Sequence, residues 1–149
     1  MGNKKGKAFE HVFRLSLKAL QGFDDRIEDG GGVGKNKQTA DFYFGFNDRP
    51  GWYAIECKHA EGKSFELRKI GYGDHGGQMA RLLRFDNPRA ARHAYVAIEM
   101  RGGCYLMPIH DFDRIAAACI GNGRVSVPEA SMAPYKVEKA GGIYRLEFK

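Results

Sequence analysis

The sequence predicts an α/β fold with a mixed central sheet flanked by helices. Residues 7–20 place Phe9, Val12, Phe13, Leu17 and Leu20 at helical spacing. Residues 39–46 and 52–58 are two neighbouring runs rich in aromatic and β-branched residues, separated by the turn chemistry of Asn47-Asp48-Arg49-Pro50-Gly51. Beyond them, helical and strand-like stretches alternate to about residue 119. At 149 residues the chain is long enough for one domain with its own core, and no internal repeat or second domain is visible across 1–149.

Each element has its own justification. Residues 1–7 carry Lys4, Lys5 and Lys7 with two glycines and are expected to form a mobile basic arm. The helix over 7–20 turns its apolar stripe inward, with Glu10 beside that stripe. Residues 22–38 are rich in Gly, Asp and Lys, and Gly30-Gly31-Gly32-Val33-Gly34 predicts a flexible loop. It lacks the Gly-Lys-Ser/Thr ending of a phosphate-cradling loop. The two strands over 39–46 and 52–58 are expected to pair as an antiparallel hairpin.

Further along, Ser64-Phe65 starts a short extended segment, and Gly71-Tyr72-Gly73-Asp74 is a turn. Asp74 is the expected N-cap of a helix running to about Phe85, which carries Gln78, Met79, Arg81, Leu82 and Leu83. Asn87-Pro88 ends that helix. Strands are expected over 94–100 and 104–109, joined at Arg101-Gly102-Gly103. Asp111 and Asp113 open a helix through Cys119, where capping and the helix dipole explain them better than metal binding. Residues 121–149 carry strand-like pieces at 124–127 and 143–148 and are expected to complete the sheet or a subunit interface.

The formal net charge of +6 favours a polyanionic partner. The three cysteines, Cys57, Cys104 and Cys119, form neither a disulfide framework nor a zinc-type spacing and read as reduced residues. No signal peptide or membrane span is visible, so the expected compartment is the cytoplasm of a bacterial or phage-infected cell, with no membrane partner.

Chemistry concentrates on 52–58, Trp52-Tyr53-Ala54-Ile55-Glu56-Cys57-Lys58. Strand side chains alternate, so Glu56 and Lys58 point together, away from Ile55 and Cys57. A carboxylate and an ammonium at the end of an apolar strand are costly unless paired or bound to something. Antiparallel pairing with 39–46 brings Asp41 to the same place. Mg²⁺ prefers hard oxygen ligands and takes one or two protein carboxylates, which Asp41 and Glu56 would supply. Lys58 would orient a water or stabilise charge on a phosphate. A bare Glu-x-Lys also fits an ordinary surface pair; the Asp in the preceding strand favours the site.

Asp41 followed by Glu56-Cys57-Lys58 after a hairpin resembles the core of the PD-(D/E)XK nucleases. Lys63-Ser64-Phe65, Leu67, Asp74-His75 and Gln78 follow much as in RecU-type Holliday junction resolvases. Thr39-Ala40-Asp41 resembles their Thr-Thr-Asp, with Ala40 in place of the second Thr. The match spans residues 6–115. It implies a restriction-endonuclease-like fold in which Asp41, Glu56 and the Cys57 carbonyl hold Mg²⁺, with Mn²⁺ as a substitute. Lys58 would then activate water, and Glu10 and Gln78 would assist from helices. It further implies a homodimer acting on branched DNA, with Lys4, Lys5, Lys7, Lys35, Lys37, Thr39, Lys63 and Arg81 as DNA contacts. The segment before Asp41 is shorter than the protruding stalk of RecU-type enzymes.

The expected function is therefore Mg²⁺-dependent resolution of four-way junctions by paired, symmetrical nicks. Two alternatives stand beside it. One is a nuclease of the same superfamily acting on duplex, flap or DNA ends, which the short pre-Asp41 segment supports. The other is a non-catalytic DNA-binding protein of the same fold, which would not need Asp41, Glu56 and Lys58 together.

Overall fold

The computed structural model describes residues 4–20, 40–46, 49–101 and 103–148, and opens with helix α1 (Lys4–Lys18). Phe9, Phe13 and Leu17 recur along one face of α1 and are buried. The helix begins at Lys4, so Lys4, Lys5 and Lys7 lie in its first two turns and not in the expected mobile arm. Lysine is a good helix former, and Gly6 is buried within the helix. Lys35, Lys37, Thr39 and the Gly-rich loop lie outside the described residues.

Strand β1 (Phe42–Phe44) pairs antiparallel with β2 (Trp52–His59), Phe42 opposite Ile55 and Phe44 opposite Tyr53. The strand expected over 39–46 is thus shorter, and Asp41 stands just before the ladder. The chain continues through β3 (Ser64–Glu66), a 3-10 turn (Leu67–Ile70) and α2 (Gln78–Phe85) to β4 (Arg92–Met100). There follow β5 (Gly103–Pro108), α3 (Ile109–Gly121), β6 (Ser126–Pro128), a 3-10 helix (Glu129–Tyr135), β7 (Lys136–Val137), β8 (Lys139–Ala140) and β9 (Ile143–Tyr144). Among the described residues the main sheet has the order β1-β2-β4-β5-β7, with β2 and β4 parallel and the other pairs antiparallel. A parallel pair needs a long crossover, and that crossover carries α2.

Three boundaries differ from expectation for local reasons. Helix α2 starts at Gln78 with Gly77 at its N-cap position, not at Asp74. The Asp74 carboxylate instead accepts the Gly76 N–H at 3.1 Å, and its carbonyl accepts the Gly77 N–H at 3.0 Å. Gly77 packs so tightly that a Cβ there would sit 2.7 Å from the Gly71 carbonyl oxygen. Helix α3 starts at Ile109, and neither aspartate caps it. Asp113 accepts the Tyr72 hydroxyl at 2.7 Å and Asp111 accepts that of Tyr135 at 3.1 Å, so the two carboxylates tie neighbouring segments to the helix. The strand expected over 143–148 is β9 alone.

The sheet separates two cores. On one face Ala54, Val96, Ile98 and Met107 meet Phe65, Leu82 and Phe112. On the other, Ile55, Cys57, Ala97 and Leu106 meet Phe9, Phe13 and Leu17 of α1. The C-terminal segment completes this second core. The Phe148 ring lies 5.0 Å from Tyr95, 5.2 Å from Phe44 and 5.5 Å from Tyr53 between centroids. Buried Ser16 fastens the same region to α1: its Oγ donates to the Val12 carbonyl at 2.7 Å and accepts the Tyr144 N–H at 2.8 Å. All three cysteines are free and buried. None of the described helices is long and apolar enough to cross a membrane.

This packing makes Phe148 a core residue in a segment with little regular structure. Phe148→Ala is expected to lower stability by about 3 kcal/mol in urea unfolding. Val125→Ala, at a position 80% exposed, is expected to stay within about 0.5 kcal/mol of the wild type. Equal midpoints for the two variants would show that the segment does not pack as described.

Candidate active site

The site forms where β1 stops and β2 continues. One residue beyond the Phe42–Ile55 pair, the register sets Asp41 opposite Glu56. No β1 backbone group remains to take the Cys57 N–H, and the Asp41 side chain takes it instead, with Oδ2 2.9 Å from the nitrogen. This bond holds one face of the Asp41 carboxylate against the strand. In an antiparallel pair a residue's N–H and C=O leave the strand on the same side. The Cys57 carbonyl therefore leaves β2 on the side where Asp41 sits.

Glu56 is the centre of the constellation. It lies on the α2 face of β2 and is only 4% exposed. Burial, reinforced by the charge of Asp41, pushes its pKa from 4.5 to about 8. Lys58 opposes that shift: its Nζ lies 3.1 Å from Glu56 Oε2. The Gln78 amide, at the first position of α2, adds a smaller stabilisation of the carboxylate. Even so, Glu56 Oε1 is buried and, among the described residues, meets no donor at hydrogen-bonding geometry. Two carboxylates face each other here, one with an orphaned oxygen, and a backbone carbonyl leaves the strand beside them. That donor set fits a hard divalent cation such as Mg²⁺. Among the described residues no three His, Cys, Asp or Glu side chains gather as a metal cluster, so a bound ion would rest on two carboxylates and the Cys57 carbonyl.

The other expected residues fall into distinct places. Glu10 belongs to α1, which packs on the Cys57 face of β2. Its charge joins burial, Asp41 and Glu56 in raising the Cys57 thiol pKa. Glu10 thus approaches the site from the side opposite Glu56. Lys4, Lys5 and Lys7 are exposed on the first turns of α1, and Lys5 Nζ pairs with Glu61 at 2.7 Å. Lys63 is exposed, and its carbonyl accepts the Glu129 N–H. Arg81 is half-buried and donates from Nη1 to the Gly76 carbonyl, holding the turn that presents Gln78.

Sequence reasoning passed over one part of this region. At the end of β2 the His59 Nδ1 lies 2.7 Å from Glu99 Oε1, and Glu99 Oε2 accepts the Tyr144 hydroxyl at 3.1 Å. The residues meet because β2 and β4 run parallel and pair His59 with Glu99. Nothing local in the sequence signals a contact between residues 40 positions apart.

No protein-family model matches the chain, and no curated protein matches it. Among solved structures the chain is similar to Hjc, a Holliday junction resolvase from the archaeal hyperthermophile Archaeoglobus fulgidus. The two are 27% identical over 72% of this chain and 75% of that chain, with a TM-score of 0.48.

The electrostatics of Glu56 make a prediction that needs no substrate. Its folded-state pKa of about 8 lies above the ordinary 4.5, so the folded protein binds this proton more tightly than the unfolded chain. Stability from the protonated carboxyl is complete below pH 4.5 and is lost as pH rises toward 8. Glu56→Gln, which mimics the neutral acid, is expected to be more stable than the wild type in chelator at pH 8, by on the order of 1–3 kcal/mol. The difference should shrink toward pH 4.5. A pH-independent difference in melting or urea midpoint would count against a strained, buried carboxylate.

Proposed function

We propose that this chain is a divalent-metal-dependent endonuclease acting on branched DNA, with the four-way junction as its preferred substrate and a homodimer as its working form. The observation that carries the reading is the meeting of Asp41, Glu56 and Lys58 at one end of β2, with a buried Glu56 oxygen that meets no donor at hydrogen-bonding geometry among the described residues. Asp41, Glu56 and the Cys57 carbonyl would hold Mg²⁺, or Mn²⁺ in its place. When bound, such an ion polarises a phosphoryl oxygen and lowers the pKa of its water.

The protein's own groups do the rest. Asp41 and Glu56 supply the two carboxyl groups, and a bound cation would favour the charged form of Glu56 against its burial. Lys58, partly exposed beside Glu56, orients the attacking water and offsets charge that grows on the phosphate in the transition state. Gln78 steadies the Glu56 carboxylate from α2, and Glu10 acts as an accessory acid from the α1 side. Lys4, Lys5, Lys7, Lys35, Lys37, Thr39, Lys63 and Arg81 contact the DNA backbone, in keeping with the net charge of +6. The junction preference rests on the RecU-type pattern around Lys63-Ser64-Phe65 and Gln78. Two-fold symmetry would let two equivalent sites meet opposed strands. The short segment before Asp41 supports a second reading, cleavage of duplex, flap or end substrates by the same chemistry.

Asp41→Asn and Glu56→Gln are expected to reduce cleavage to background while DNA binding survives, and Ca²⁺ should support binding without efficient cleavage. Normal turnover in either variant, or full activity in chelator, would reject the metal-dependent nuclease. Lys58→Ala should lose about 10²–10³ in rate with little change in affinity. Substrate choice is tested with an immobile four-way junction against a linear duplex of the same arm sequence at matched salt. Paired nicks with ligatable products and a dimer in sedimentation are the expected results. Equal cutting of the two substrates, or a strict monomer, would favour the second reading.

A further inference from the structure

Strand β2 ends on two different surfaces. Lys58 turns to the α2 face, and His59, the next residue, turns to the α1 face. Beside His59, between α1 and the segment 64–70, lies a cleft of about 760 Å³, lined by Lys4 and Lys5 of α1, His59, Glu61, Glu66 and Lys69. Its two acids are already engaged: Glu61 pairs with Lys5 at 2.7 Å, and Glu66 pairs with Arg68 at 2.6 Å. Among the described residues neither Lys4 nor Lys69 has an ion-pair partner. Lys69 stands close enough to both acids for its charge to help lower the pKa of each. The cleft wall is fixed by His59, whose Nδ1 is held by Glu99 while Nε2 is buried without a partner among the described residues. The cleft therefore has acids neutralised by their own partners, two ammoniums left over, and a border with the candidate catalytic strand end.

We propose that this cleft binds a backbone phosphate of the DNA strand that crosses the end of β2, adjoining the phosphate that is cut, with Lys69 as its principal contact. The proposal rests on the nuclease reading above. A polynucleotide laid over the end of β2 meets Lys58 and, past the neighbouring His59, the cleft, so one chain of phosphates spans both. A single multivalent anion would not need that continuity. The role given to Lys69 is electrostatic and sequence-independent, and its signature is the salt dependence of binding.

The test measures binding of a short linear duplex in Ca²⁺ across a salt series, for the unaltered protein, Lys69→Ala, Lys69→Glu and Lys18→Ala. Lys18 lies on the same helix as Lys4, about 21 Å away at 1.5 Å rise per residue, and serves as the control. Lys69→Ala should weaken binding about three- to tenfold at low salt and reduce the slope of log affinity against log salt by about 0.7–0.9. Lys69→Glu should weaken it further, while Lys18→Ala keeps the wild-type slope. Lys69 is exposed, so melting curves of its variants should match the wild type, and a loss of affinity with an intact melt supports the cleft. If the unaltered protein binds and cuts DNA but the Lys69 variants keep its slope, or if Lys18→Ala changes the slope as much, the cleft assignment falls alone. If the unaltered protein neither binds nor cuts DNA, the nuclease reading falls and takes the cleft with it.

Discussion

Strand β2 runs parallel to β4 over its whole length, from Trp52 beside Arg92 to His59 beside Glu99. Much else follows from this ladder. Parallel strands cannot be joined by a tight turn, so the chain must leave the sheet and return, and the detour contains β3, the Gly71–Gly77 turn region and α2. That detour delivers Gln78 to Glu56. The ladder also buries the middle of β2 on both faces, which is why Ala54 and Ile55 can flank a carboxylate that water barely reaches. On the other edge β1 is too short to cover the end of β2, and the uncovered backbone of Cys57 is where Asp41 attaches. A long neighbour on one side and a short one on the other generate the site.

The site is arranged against the stability of its own fold. A buried carboxylate beside a second carboxylate, with one oxygen unserved among the described residues, is a local conflict that a core selected for packing alone would not contain. Lys58 relieves it only in part, because its ammonium reaches one oxygen of Glu56 and remains partly in solvent. The surroundings keep the conflict from relaxing. Gln78 is held by a turn that is itself clamped by Asp74 and Arg81, and Asp41 is held by the β2 backbone. Groups held this way against their own preference cost free energy unless a bound ligand offsets it.

Asp41, Glu56 and Lys58 were legible in the sequence because their relation is local: a strand, a turn and a strand, with the period of two deciding which side chains share a face. Gln78 was legible only through the motif resemblance, since the crossover that delivers it leaves no mark on spacing. Other features needed competing local interactions to be weighed. Asp74 has the chemistry of an N-cap, but Gly76-Gly77 follows it and the chain makes a turn before the helix can start. Asp111 and Asp113 look like helix-start residues, yet each answers a tyrosine hydroxyl from a distant segment. The His59–Glu99–Tyr144 chain was not legible at all, because it is a product of sheet order.

The two sides of the sheet also differ in how far along the chain their parts must be gathered. The α2 and α3 side is assembled mostly from consecutive elements. The α1 side is closed by Ser16 reaching Tyr144, a link across 128 positions, and by Phe148 entering an aromatic group that includes Phe44 and Tyr53. Closing so long a loop carries an entropic cost that nearby contacts do not repay. Contact separation alone makes this half the one expected to close late in folding and to open at lower free energy. Glu10 and the lysines of α1 sit on that half, while Glu56, Lys58 and Gln78 sit on the other. On that expectation an early-forming candidate site adjoins a late-forming flank, and the seam between them runs along β2.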